Sequence, residues 1–354
     1  MYKIKKSDLP ALFEKIGSQK ELFVPVKRAG QVNFGPWKAD EEVDLDTLKA
    51  VKSPKDIFFP QCETLYSCRR DGQKLSIDQQ ALQDQSFVVF GMRGCDVKGL
   101  EVLDRVFLTD PVDTFYQARR EHGVIVAMAC HRPETSCFCS VFGNDAANPA
   151  ADVAAWIVEE TLYWQPVTEK GKALTEELSG LLTDAGADGE AAVEQEKENI
   201  HAIVEKLPYT GLSLDAWKNV SELERFGSPL WEELYKPCLG CGTCTFVCPT
   251  CQCYDIRDFN TGSEVKRFRC WDSCMYSDFT LMAAENSRTS QMQRFRQRFM
   301  HKLVYFPANN DGIYSCVGCG RCVDKCPSSL NIVKVIKKFA AAQAEAKVGG
   351  ADNE

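Results

Sequence analysis

The run Cys238, Cys241, Cys244, Cys248, Pro249 recurs as Cys316, Cys319, Cys322, Cys326, Pro327. Both are C-x2-C-x2-C-x3-C-P, and two copies constrain the fold more than anything else in these 354 residues. A loop with a thiol at every third position wraps three corners of a four-iron, four-sulfide cube, while the fourth cysteine opens a helix, faces away and ligates the other cube. The spacing therefore groups Cys238, Cys241 and Cys244 with Cys326, and Cys316, Cys319 and Cys322 with Cys248. Gly240, Gly242, Gly318 and Gly320 allow the backbone close to the sulfides. The prolines suit first helical turns, where no N–H is needed. Zinc sites usually show two separated cysteine pairs instead. The expectation is a ferredoxin-like domain with two [4Fe-4S] clusters, which moves single electrons and offers no open coordination position to a substrate.

Eighteen cysteines are present in all. The start, MYKIKKSDLPALFEKI, has no apolar stretch fit for a signal peptide. The most apolar strand-like run, VIVAMAC at 124–130, is too short to span a bilayer. These features place the chain in the cytoplasm, a reducing compartment where so many clustered thiols indicate metal ligation rather than disulfides. Burial as small apolar residues accounts for Cys62 and Cys68, and for little else in the pattern. A net charge of −8 argues against a general nucleic-acid binder.

Residues 1–185 alternate strand and helix patterns. A helix is expected at 7–16, a hairpin at 23–27 and 31–34, and buried strands at 86–92 and 124–129 with helical segments between them. The last three form a right-handed βαβ unit and define an α/β N-terminal domain. Cys95 follows the first of these strands and Cys130 ends the second, so both lie at carboxyl ends, where open α/β sheets build sites. Cys137 and Cys139 return to the same edge. The four thiols suggest a third iron–sulfur cluster, with buried or reactive thiols as the alternative. The segment GMRGCDVKG lacks the G-x-G-x-x-G order of a dinucleotide site.

Residues 186–207 read as a linker (186–192) followed by a surface helix (194–207), and the acidic stretch 151–200 as a solvated face. Residues 208–340 hold twelve cysteines and few strand signals, giving an α+β, helix-rich domain in which an insertion, 249–315, separates the two motifs. It contains Cys251, Cys253, Cys270 and Cys274. A helical RCWDSC would put Cys270 and Cys274 on one face. The group offers a further site for zinc or a cluster, and reduced thiols packed beside the clusters explain the same residues. Within the insertion, Arg288, Arg294, Arg296, Arg298 and Lys302 accompany Phe295, Phe299 and Leu303 at helical spacing. Their charges are a solvated face, an offset to cluster charge, or a docking surface for an acidic partner. Residues 341–354 read as a tail, helical at first and then flexible.

GMRGCD (91–96), CFC (137–139), CPTCQCYD (248–255), WDSC (271–274) and the second motif, in this order, resemble the iron–sulfur beta subunit of cytosolic sulfhydrogenases, a family similar to the dicluster electron-transfer subunit of anaerobic sulfite reductase. The resemblance covers about residues 1–340. It implies an electron-transfer subunit, itself without catalytic residues, in a hetero-oligomeric complex. One partner would be a flavin subunit that handles NAD(P)H; the other would be a catalytic subunit of hydrogenase or sulfite/sulfur reductase type. Cys251, Cys253 and Cys274 fall on the family pattern and Cys270 does not. The alternative is a subunit with its own reductive site, for sulfur or disulfide reduction, at the N-terminal cluster. No motif for nickel, siroheme, nucleotide, nucleic acid or a membrane span is found.

Overall fold

The computed structural model describes residues 1–218 and 220–351. Its larger sheet has eight strands: β1 (Tyr2–Lys5), β2 (Glu21–Arg28), β3 (Gln31–Pro36), β6 (Phe87–Arg93), β7 (Gly123–Met128), β8 (Val153–Val158), β9 (Thr161–Pro166) and β10 (Thr183–Asp184). The remaining strands are β4 (Cys62–Asp71), β5 (Lys74–Gln79), β11 (Tyr254–Asn260) and β12 (Glu264–Trp271). In the large sheet the order is β10-β1-β9-β8-β7-β6-β2-β3. Strands β2, β6, β7 and β8 run parallel at its centre, and antiparallel neighbours complete both edges.

Strands β6 and β7 are buried along their whole length, as expected of parallel strands covered on both faces, which read as continuous apolar runs. Their side chains alternate between two cores. Val88, Phe90 and Val126 join Leu12, Phe13 and Ile16 of the helix Leu9–Gly17, together with Trp164. Phe87, Val89 and Ile125 face Leu100 and Leu103 of the helix Gly94–Phe107, with Phe58 and Phe59. The chain therefore folds as a mixed α/β protein, with helical layers on the sheet's two faces.

The second sheet, β11-β12-β4-β5, is antiparallel throughout and joins a hairpin of the N-terminal half to a hairpin of the insertion. Arg269 fixes its root. That guanidinium is buried between the carboxylates of Glu63 and Asp113 and lies over the Phe59 ring. A buried charge of this kind is tolerated because it is paired.

Several local expectations change. RCWDSC is not helical: β12 runs through Trp271, whose backbone N–H donates to the Gln61 carbonyl at 2.8 Å. The alternation in EVKRFRCW suits a pleated strand, so Cys270 and Cys274 share no helical face. Cys62 is exposed rather than buried, as the strand partner of Cys270. Residues 186–192 are no linker; they open the 20-residue helix Gly186–Glu205. Gly189 serves close packing there, since a Cβ would come within 2.8 Å of the Tyr163 ring. Val193 and Ile200 of this helix bury against Trp156. At the other end, the helix Ile332–Ala351 extends through most of the segment read as a tail, consistent with its alanine-rich composition; residues 352–354 lie outside the described residues.

The C-terminal part packs around Trp217, Trp231, Phe295, Phe299 and Phe339. Its basic helix, Gln291–Met300, starts at a capping box between Ser290 and Gln293 and continues into a π-helical turn, His301–Tyr305. Among the described residues no helix is long and apolar enough to cross a membrane.

Candidate metal centre

Each cysteine motif forms a loop that turns on glycine. Gly318 and Gly320 have φ of +63° and +79°, conformations that an L side chain adopts at a cost. Space is short as well. A Cβ on Gly318 would lie 2.3 Å from the Phe138 carbonyl oxygen, and one on Gly320 would lie 2.6 Å from that of Ser136. The second motif is thus pressed against the loop bearing Cys137 and Cys139, and the Phe138 N–H donates to the Gly318 carbonyl at 2.9 Å.

Cys238, Cys241, Cys244 and Cys326 line one small cavity, together with Arg298, Phe295 and Leu330. These are the four thiols that the motif spacing groups. The other four lie in one buried neighbourhood. Burial pushes the Cys316, Cys319 and Cys322 thiols up, Cys316 to about 12, and Cys248 adds to each of the three shifts. Burying several thiolates together is unfavourable unless positive charge accompanies them.

That charge comes from the basic helix and its π turn. Arg298 and Lys302 are buried. The Lys302 ammonium sits 2.8 Å from Thr250 Oγ1, 2.8 Å from the Ser315 carbonyl and 3.5 Å from Cys248 Sγ. Burial alone would lower its pKa, but the Cys248, Cys251 and Cys316 thiols raise it well above the ordinary lysine value. Arg298 responds in the same way to Cys244 and Cys322, one thiol from each motif. Its Nε is buried without a hydrogen-bond partner among the described residues. The sequence offered a signal for this inward aim: Arg298 and Lys302 follow Phe295 and Phe299 by three residues and so border the apolar stripe.

The N-terminal cysteines converge too. Cys95 lies in the first turn of the helix after β6, and Cys130 follows β7. With Cys137 and Cys139 they line a second small cavity, shared with Gly318 and Cys319 of the second motif. Three cations that sequence reasoning did not single out hold the surrounding loops. Arg93 donates to the carbonyls of Leu45, Leu48 and Ala129. Arg321 grips Asp96 with two bonds, 2.7 and 2.9 Å, both side chains being buried. Lys49 joins Glu134 and Ser136 of the cysteine loop to Asp324 behind the second motif.

In the insertion, the Cys274 thiol is a hydrogen-bond partner of Cys253 and lowers its pKa against the effect of burial. Cys251 acts on Cys248 in the same way. Cys251, Cys253 and Cys274 thus come together beside Cys248; Cys270 stands apart, in register with Cys62. Lys55, also absent from the sequence reading, is wholly buried here. It donates to the Cys251 carbonyl at 2.5 Å and lies 4.1 Å from the Trp271 ring centroid.

The residues fit iron–sulfur clusters. Two groups of four thiols each converge on one cavity, tight glycine turns frame the second motif, and Arg298, with an unpartnered guanidinium N–H, lines the first cavity. Among the described residues, no three His, Cys, Asp or Glu side chains form a group suited to a single metal ion.

Comparison with known proteins agrees with this chemistry. Residues 237–330 match the sequence pattern of a 4Fe-4S dicluster domain. The chain is 29% identical over 337 residues to the sulfhydrogenase 2 subunit beta of Pyrococcus furiosus, covering 94% of this chain and 96% of that subunit. No solved structure matches it. The protein is an iron–sulfur, 4Fe-4S electron-transport subunit of an oxidoreductase, similar along nearly its whole length to a sulfhydrogenase beta subunit.

Proposed function

We propose that this chain relays single electrons inside a hetero-oligomeric complex, between a flavin subunit that handles NAD(P)H and a catalytic subunit of hydrogenase or sulfite/sulfur reductase type. The observation that carries the reading is the position of Cys319. It belongs to the second motif and also lines the cavity of Cys95, Cys130, Cys137 and Cys139, while Arg298 lies beside thiols of both motifs. Three thiol groups therefore form one contiguous series. Its members are Cys238, Cys241, Cys244 and Cys326; Cys316, Cys319, Cys322 and Cys248; and Cys95, Cys130, Cys137 and Cys139. Clusters bound at these groups supply one-electron oxidation and reduction. The chain's own residues bind and orient them, exclude water, and bring buried positive charge to the thiolates. Four thiols around the N-terminal cavity would suffice to ligate all four irons of a cube, which favours relay over a reductive site of its own. Cys251, Cys253 and Cys274 form an additional thiol group beside Cys248, where zinc analysis distinguishes a separate ion from reduced thiols.

The complex purified with its native partners tests the relay. Cys95→Ser is expected to remove one cluster's EPR signal and to lower NAD(P)H-dependent turnover of the catalytic partner at least tenfold. Loss of the signal with unchanged turnover would exclude passage through that group. A second expectation concerns potential. Arg298→Gln removes a buried charge that favours the more negative, reduced state by about 1–2 kcal/mol through a partly screened medium. At about 59 mV per 1.4 kcal/mol, the nearest midpoint should fall on the order of 50–100 mV. Potentiometric titration followed by EPR reads the shift.

A further inference from the structure

Cys62 and Cys270 belong to none of the three groups. They are register partners in the antiparallel pair β4–β12. The backbone N–H of Trp271 donates to the Gln61 carbonyl at 2.8 Å, which makes Gln61–Trp271 a hydrogen-bonded pair and the adjacent Cys62–Cys270 a non-hydrogen-bonded one. Such partners have Cα atoms about 4.5 Å apart with side chains on the same face. A disulfide needs Cα atoms roughly 4.4–6.8 Å apart, so this register brings the two sulfurs within bonding reach without moving the strands.

We infer that Cys62 and Cys270 form a reversible dithiol–disulfide site, a two-electron centre separate from the one-electron clusters, that reacts with small-molecule disulfides. Exposure sets the order of events. Cys62 is exposed and Cys270 is partly covered. Access favours attack by the Cys62 thiolate on a sulfur of the incoming disulfide RSSR, which releases one RSH after protonation. The Cys270 thiolate then attacks the Cys62 sulfur of the mixed disulfide, and the second RSH leaves. Two thiols of the chain are oxidised to one disulfide and RSSR is reduced to two thiols, so atoms and electrons balance. Burial holds the Cys270 thiol up while the neighbouring Arg257 draws it down, in keeping with the slower, resolving role. Oxidation would fasten β4 of the N-terminal half to β12 of the insertion, one residue from Trp271 and the Lys55 contact beneath it.

Peptide mapping of the cluster-loaded, anaerobically purified chain tests the site. The protein is treated with glutathione disulfide, quenched in acid, alkylated and digested. The expected product is one linked peptide pair, Cys62 to Cys270, two hydrogens lighter than the dithiol form and returned to it by dithiothreitol, with iron content unchanged. In Cys270→Ser, Cys62 should instead carry a stable glutathione adduct. In Cys62→Ser, Cys270 should be recovered alkylated. Full alkylation of both thiols in the treated parent chain would overturn the inference. So would a link from Cys62 to any other cysteine, or a persistent glutathione adduct on Cys62 when Cys270 is present.

Discussion

Replacing Asp96 with alanine is expected to destabilise the chain by about 3–5 kcal/mol, the usual cost of removing one partner from a buried ion pair. Asp96 is 2% exposed, and its carboxylate takes both bonds from Arg321, also 2% exposed. Without it, the guanidinium keeps, among the described residues, its bond to the Ala50 carbonyl, 2.9 Å from Nε. The loss falls at a sensitive place, because Asp96 follows Cys95 and Arg321 lies between Cys319 and Cys322. Chemical denaturation under anaerobic conditions measures the change. The double variant Asp96→Leu, Arg321→Met separates charge from packing. Replacing a whole buried pair with apolar side chains of similar volume is often neutral or better, so it should regain most of the lost stability.

Gly318→Ala is the second large effect. The left-handed backbone alone costs roughly 1–2 kcal/mol for an alanine. The new Cβ would also lie 2.3 Å from the Phe138 carbonyl oxygen and 2.7 Å from the Cys139 Cα. Those atoms are backbone and cannot swing aside, so the loop with Cys137 and Cys139 must separate from the second motif. Gly312 provides the control: its φ is +77°, with no atom within 4 Å of an added Cβ. Gly312→Ala should show the backbone cost alone. Gly318→Ala should exceed it by at least 1–2 kcal/mol, in the range of overpacked sites, and should lower the iron held at the N-terminal group. Equal effects from the two variants would contradict close docking of the two loops.

How far the fold could be read from sequence depended on the range of the interactions. Periodic apolar runs marked β6, β7 and the helices between them, because burial on both faces leaves a local record. The second sheet left none. Its β4–β12 contacts join residues about two hundred positions apart, and its strands are mostly exposed, with a register shift between Arg267 and Phe268. The same gap leaves RCWDSC open to a helical conformation and Cys62 to burial when only the sequence is considered. Gly189 misled in another way, since a glycine needed for helix packing against Tyr163 looks like a loop residue. At the site, regular spacing exposed the eight motif cysteines, and strand ends pointed to Cys95 and Cys130. Lys55, Arg93, Asp96 and Arg321 were invisible because a buried charge is recognised only by what surrounds it.

The proposed relay requires three groups of four thiolates that bind clusters in series, and metal stoichiometry counts them. The anaerobically purified chain should contain about twelve irons and twelve acid-labile sulfides, at four per cluster. Cys95→Ser should lower both to about eight. An iron-free protein loaded with zinc, or a parent chain with about eight irons that Cys95→Ser leaves unchanged, would contradict it.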